Sequence, residues 1–124
     1  MALAASVHLA TLGRAGLRRV AELCYHKSHY AASQLSALPG FRVNPQDPDR
    51  PFFKEFVVEL PCPAVDANRA IEEQMGCSGG RPLALDASAE ERDPALENRL
   101  LLAVTELHTR ADLDELVGVL RGLA

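Results

Sequence analysis

The chain has 124 residues, of which 48% are hydrophobic and 24% charged, with a net charge of −4. That length accommodates one hydrophobic core and hardly two, and the balance is that of a globular protein, not a disordered one. The negative charge and the scattered basic residues argue against nucleic acid; the densest basic group, Arg14, Arg18 and Arg19, falls at helical spacing without interleaved aromatics and reads as a solvated helix face. Cys24, Cys62 and Cys77 form an odd set with no CxxC pair, as expected in a reducing compartment. The opening MALAASVHLATLG is apolar but carries no basic flank and is too short to span a bilayer. It reads as a helix of the fold, which leads to the expectation of a cytoplasmic protein with no membrane partner.

In chain order, the pattern is helical from Leu3 to about Leu12, where Gly13 breaks it. A longer helix is predicted from about Ala15 to Leu38, its apolar face made of Leu17, Val20, Ala21, Cys24, Ser28, Ala31, Ala32, Leu35 and Leu38. Pro39-Gly40 ends it. A short strand over Phe41–Val43 precedes a proline-rich surface loop, NPQDPDRP. Phe53–Leu60 alternates as a strand, with Phe56, Val58 and Leu60 on one face. Val65–Met75 is helical, with Val65, Ala67, Ala70, Ile71 and Met75 facing inward and Asp66 near the positive end of the helix dipole.

A glycine-rich turn, Gly76-Cys77-Ser78-Gly79-Gly80, then leads to a short strand over Arg81–Leu85. The acidic, alanine-rich segment Asp86–Asn98 reads as a loop or loose helical turn, and Leu100–Val104 as a strand covered on both faces. Thr109 with Asp112 starts the last helix in the manner of a capping box, and Leu113, Leu116, Val117, Leu120 and Leu123 form its stripe. This order predicts one domain over residues 1–124, with a helical segment 1–38 followed by an α+β sandwich 39–124 in which a mainly antiparallel sheet packs against helices.

Several residue groups invite a chemical reading. His26 and His29 lie three apart on a helix, a spacing that metal ligands use, but no third or fourth ligand is fixed. With Tyr25 and Tyr30 beside them they read as an interface cluster. The GCSGG turn offers backbone N–H groups that in other contexts bind phosphate, yet it lacks the P-loop lysine and a following helix, so it reads as a tight turn. Cys77 has no basic neighbour in sequence to activate its thiol. Glu106, His108 and Asp112 surround the start of the last helix and are explained by that position.

Five segments occur in a definite order: LATLGRAGLRRVAEL, KSHYAASQLSALPGF, PFFKEFVVELP, GGRPL and NRLLLAVTELHTRADLDELVGVL. Together they resemble the C-terminal portion of the first subunit of the glycine decarboxylase P-protein, the family of glycine dehydrogenase (decarboxylating) subunit 1. The departures are Ala84 where the family's GGxPLG ends in glycine, Leu107-His108 in place of a basic pair after TE, and a divergent Asp86–Arg92 stretch.

The resemblance implies the small C-terminal domain of a fold-type I pyridoxal-phosphate (PLP) enzyme. That enzyme decarboxylates glycine in the glycine cleavage system and passes the aminomethyl group to the lipoyl arm of the H-protein. It further implies that the PLP lysine belongs to the second subunit. The partners are then the large domain of subunit 1, subunit 2 and the H-protein. The isolated chain is expected to be inactive, a fragment with no catalytic, cofactor-binding or metal residue of its own. Lys27 and Lys54 are its only lysines, and neither lies in a loop of the kind a Schiff-base lysine occupies, so both read as solvated surface residues. Small domains of this fold type often lend an arginine to a substrate carboxylate, but Arg81 and Arg110 read as salt-bridge residues. The alternative expectation is a stand-alone α+β ligand-binding or protein-interaction module; another fold-type I enzyme such as an aminotransferase ranks lower.

Overall fold

The helical pattern of the first residues folds as α1, Ala2–Ser36, in a computed structural model that describes residues 1–85 and 93–124. Gly13 interrupts this helix with φ 62° and ψ −178°, a backbone state essentially reserved for glycine, so the predicted break is present as a kink between two helical stretches. Only the second stretch enters the core. Cys24, Ser28, Ala31, Ala32 and Leu35 are buried as their spacing predicts, but Leu17 is 50% exposed and Ala21 is exposed as well. The predicted apolar face is therefore right in phase, but among the described residues its buried positions begin only at Cys24.

Four strands follow, all paired antiparallel among the described residues, in the order β1-β2-β4-β3. They are β1 Arg42–Val43, β2 Glu55–Glu59, β3 Arg81–Pro82 and β4 Arg99–Ala103. The central β2–β4 ladder sets Phe56 opposite Leu102 and Val58 opposite Leu100, and these four side chains are at most 2% exposed. Cross-strand pairs of this kind hold the sheet through packing on one face. α2, Ala64–Met75, contributes Ala64, Ala67 and Ile71 to that face, and α3, Arg110–Arg121, contributes Leu113, Val117, Val119 and Leu120. The result is a two-layer α+β arrangement with one continuous core between sheet and helices.

The local signals explain the element ends. Gly76 closes α2 in the left-handed conformation, φ 68°. Thr109 and Asp112 complete a reciprocal capping box at the start of α3, so aspartate replaces the usual glutamate without loss of either bond.

Three expectations need correction. β4 is not covered on both faces: Leu100 and Leu102 are buried, whereas Leu101 is half-buried and Ala103 exposed, so it alternates like its antiparallel neighbours. The strand expected over Arg81–Leu85 stops at Pro82 and becomes a 3₁₀ turn, Leu83–Leu85. Val65 is 46% exposed and not part of the core. A second 3₁₀ turn, Pro94–Asn98, is capped by Asp93; the rest of the segment expected to be a loop or loose helical turn, residues 86–92, lies outside the described residues.

Candidate functional site

Several titratable and polar side chains meet where α1, the approach to β2 and the turn after β4 converge. Ser28, fully buried, directs Oγ at the carbonyls of Tyr25 and Phe53, at 2.9 and 2.7 Å, and so fastens the segment before β2 to the helix. One turn earlier, the Cys24 thiol donates to Glu106 Oε2 at 3.3 Å. The Lys27 ammonium donates to the Glu106 backbone carbonyl at 2.5 Å. Lys54 is half-buried, and its carbonyl accepts the Val104 N–H at 2.9 Å. Lys27 is therefore built into this junction through its ammonium and is not the solvated surface lysine expected from sequence, whereas Lys54 joins it through its backbone carbonyl.

The electrostatics follow from these contacts. Glu106 is held below the usual carboxylate range by its own backbone N–H and by the Cys24 thiol, and then by the charges of Lys54 and Lys27. Burial pushes the Cys24 thiol up, and its bond to Glu106 pushes it further. A thiol kept protonated is a poor nucleophile, so the junction stabilises a turn and does not activate an attacking group.

His29 stands in an aromatic column. Its ring stacks on Phe52 at 4.1 Å with 7° between planes, and Nε2 lies 3.1 Å from the Phe52 carbonyl, a distance at which the Nε2–H tautomer donates. Tyr25 packs against the same ring at 4.1 Å, tilted by 36°, and His26 meets Tyr25 edge-on at 5.5 Å. The two histidines share this cluster without further ligands: among the described residues no group of three or more His, Cys, Asp or Glu is placed to hold an ion.

On the other flank, Tyr30 donates its hydroxyl to Asp114 at 2.6 Å, beneath the Arg110 guanidinium, 5.0 Å from the ring centre. Arg110 also pairs with Asp114 at 3.8 Å, which makes it a salt-bridge residue as expected. Arg81 is exposed on β3, opposite Leu101. His108 Nδ1 accepts the Thr105 N–H at 2.9 Å and Asp112 closes the capping box, so both shape the entry to α3.

The glycine-rich turn is occupied from within. Asn68 Oδ1 accepts the N–H groups of Gly79 and Gly80 at 2.9 and 3.1 Å, and Nδ2 returns a bond to the Gly80 carbonyl at 3.2 Å. Two of the N–H groups that a phosphate could use are thus already engaged. Asn68 escaped the sequence reading; a polar residue beside Ala67 on the buried flank of α2, eleven and twelve residues before two glycines, was the available signal.

Also missed was a charged triad on the outer sheet face. Glu59 binds Arg99 at 3.1 Å and Arg42 as well. Burial works to raise the Glu59 carboxyl, but the bonds from Arg99 and Arg42 prevail and hold it low. Arg99 also borders a concavity of about 440 Å³, whose other walls include Phe52, Glu55, Val57 and Leu101.

No family model matches the chain. The probable glycine dehydrogenase (decarboxylating) subunit 1 of Thermomicrobium roseum is 45% identical over 121 residues, 98% of this chain and 25% of that protein. The corresponding proteins of Chlorobium limicola and Aeropyrum pernix are 42% and 41% identical, over 98% and 97% of this chain and 25% and 24% of theirs. This chain matches one quarter of subunit 1.

A crystal structure of glycine decarboxylase (P-protein) of the glycine cleavage system, in inhibitor-bound form, superposes with a TM-score of 0.75 at 34% identity, over 95% of this chain and 24% of that one. The resemblance to glycine dehydrogenase subunit 1 read from the ordered segments therefore holds in sequence and in fold. The chain spans about a quarter of the length of the curated subunit 1 relatives it matches.

Proposed function

We propose that this chain is the small C-terminal domain of a glycine dehydrogenase (decarboxylating) subunit 1, one domain over residues 1–124, and that it serves the cytoplasmic P-protein as a structural, non-catalytic part. The observation that carries this reading is the agreement of both kinds of comparison over the same extent, 98% of the chain in sequence and 95% in structure. In the complete enzyme, glycine is decarboxylated and its aminomethyl group passes to the lipoyl arm of the H-protein. The implied partners are the large domain of subunit 1, subunit 2 and the H-protein.

PLP supplies an aldehyde that captures the amine of glycine and a ring that accepts electrons. The residues of this chain do not fit it. A Schiff-base lysine needs an uncommitted amine in a desolvated site, whereas Lys27 is held on the Glu106 carbonyl at 2.5 Å and Lys54 is only half-buried. The amide N–H groups of Gly79 and Gly80, a potential phosphate cradle, are taken by Asn68. That the cofactor lysine belongs to subunit 2 is what the family resemblance implies, and no catalytic, cofactor-binding or metal residue is assigned here.

The test is reconstitution. The chain is co-expressed with the remaining portion of subunit 1 and with subunit 2, and glycine decarboxylation is measured with lipoylated H-protein. Activity that depends on adding the chain supports the reading. A well-folded chain that joins neither partner and restores no activity shifts the assignment to a stand-alone ligand-binding or protein-interaction module.

A further inference from the structure

We propose that the N-terminal half of α1, residues 1–20, is the docking surface for the remaining portion of subunit 1, and that it seats in an apolar groove bordered by carboxylates. The proposal rests on the reading above and assigns the surface through which that reading operates.

The first thirteen residues contain no Asp, Glu, Lys or Arg. Their two hydroxyls are satisfied inside the helix: Ser6 donates to the Ala2 carbonyl at 2.9 Å and Thr11 to the Val7 carbonyl at 2.8 Å. Apart from the exposed His8, the side chains of the segment thus present little polar chemistry to water. Yet Leu3 is 78% exposed, Val7 58% and Leu9 50%, and Leu17 beyond the kink is 50% exposed. Burial along α1 begins only at Cys24. A helix of about 12 residues is marginal in water without a packing partner. An apolar segment of this kind, ahead of the core, marks a surface that another element covers.

The choice of occupant follows from chain length. The alignment with subunit 1 includes 98% of this chain, so relatives carry this region within proteins about four times as long. The polypeptide available to cover it lies in those other three quarters. Charge adds the rim. Arg18 and Arg19 both reach Glu22, at 3.4 and 4.0 Å, whereas Arg14, directly after the kink, makes no ion pair among the described residues. A carboxylate on the occupant, opposite Arg14, completes the surface.

The experiment measures binding of the full 124-residue chain to the separately expressed remainder of subunit 1 from the same organism, by calorimetry. Joint replacement Leu3→Glu and Val7→Glu is expected to weaken binding at least tenfold, since it removes two buried aliphatic side chains and places charges in an apolar groove. Both positions are exposed, so circular dichroism and the urea midpoint of the core should stay as in the parent chain. Arg14→Glu is expected to weaken binding severalfold at low salt and to flatten its salt dependence.

If the parent chain binds and restores activity while the double variant binds equally well, the docking assignment fails and the functional reading survives. If the parent chain ignores the remainder of subunit 1 but forms a dimer that the double variant abolishes, the occupant is a second copy and the proposal is overturned. A parent chain that does neither overturns the proposal together with the reading on which it rests.

Discussion

Asn68 and Gly80 grip each other twice: the Asn68 carboxamide accepts the Gly80 N–H at 3.1 Å and donates to the Gly80 carbonyl at 3.2 Å. With the Gly79 N–H on the same oxygen at 2.9 Å, one side chain on α2 sets the path of the turn into β3. Asn68→Ala should lower stability by about 2 kcal/mol, since each bond is worth about 1 kcal/mol net and half-buried backbone groups are left unpaired. Asn68→Asp retains the acceptor and loses the donor, so its loss should be smaller. Urea unfolding checks both; identical midpoints for all three proteins would show that water replaces the clasp.

Close backbone approach makes a second expectation. A Cβ at Gly80 would meet the Leu101 carbonyl oxygen and the Leu102 side chain, and the former is backbone that cannot yield without disturbing β4. Gly80→Ala should therefore destabilise by about 1–3 kcal/mol. Gly118, exposed in α3 with nothing within 4 Å of a new Cβ, is the contrast. Gly118→Ala should stabilise by about 0.5–1 kcal/mol through helix propensity. A thermal shift of the same sign in both variants would contradict this account.

The Glu59 triad predicts acid sensitivity. In the folded chain Arg99 and Arg42 hold the Glu59 carboxyl below the usual carboxylate range, although burial opposes them. At neutral pH the carboxylate is ionised in both folded and unfolded states, and its full contribution is present. As pH falls below about 4.5, the unfolded chain takes up the proton first, and stability declines until the folded carboxyl titrates too. Glu59→Gln should thus be less stable than the parent at pH 7 and should lose less stability between pH 5 and pH 3. The comparison is a set of urea midpoints across that range.

Thiol chemistry should follow burial. Cys77 is exposed, Cys62 intermediate and Cys24 buried, and the latter two are pushed up chiefly by burial. Alkylation requires the thiolate and access to it. Iodoacetamide at neutral pH should label Cys77 first, Cys62 more slowly, and Cys24 only in proportion to unfolding by urea. Peptide mass spectrometry reads the order. Equal rates for Cys24 and Cys77 would mean that the seal between α1 and the Glu106 turn is open in solution.

What could be read from sequence was set by what periodicity encodes. The phase of β2 was visible because Phe56, Val58 and Leu60 alternate, and each is at most 2% exposed. Gly13, Gly76 and the Thr109–Asp112 box were visible because backbone geometry restricts residue choice there. Periodicity does not report where a partner element ends, so Leu17 and Val65 looked internal yet are exposed. The apolar run of β4 looked doubly covered for the same reason. Contacts between residues far apart in sequence carry no local signature. Lys27 and Glu106 are 79 apart and Glu59 and Arg99 are 40 apart, and neither pair was anticipated. The family resemblance was legible from segment order, whereas the Cys24–Lys27–Glu106 junction became visible only in three dimensions.

The two outermost strands give the sheet one more property. β1 and β3 are only two residues long, and Pro82, in the second, has no N–H to give. Such rims present too few open peptide groups to template a further strand, a protection against amyloid-like stacking. A chain of this design, separated from its neighbours in the cell, should lose solubility through its uncovered leucines and not through cross-β growth. Its precipitates would then be amorphous, slow to bind thioflavin T, and recoverable by mild denaturant.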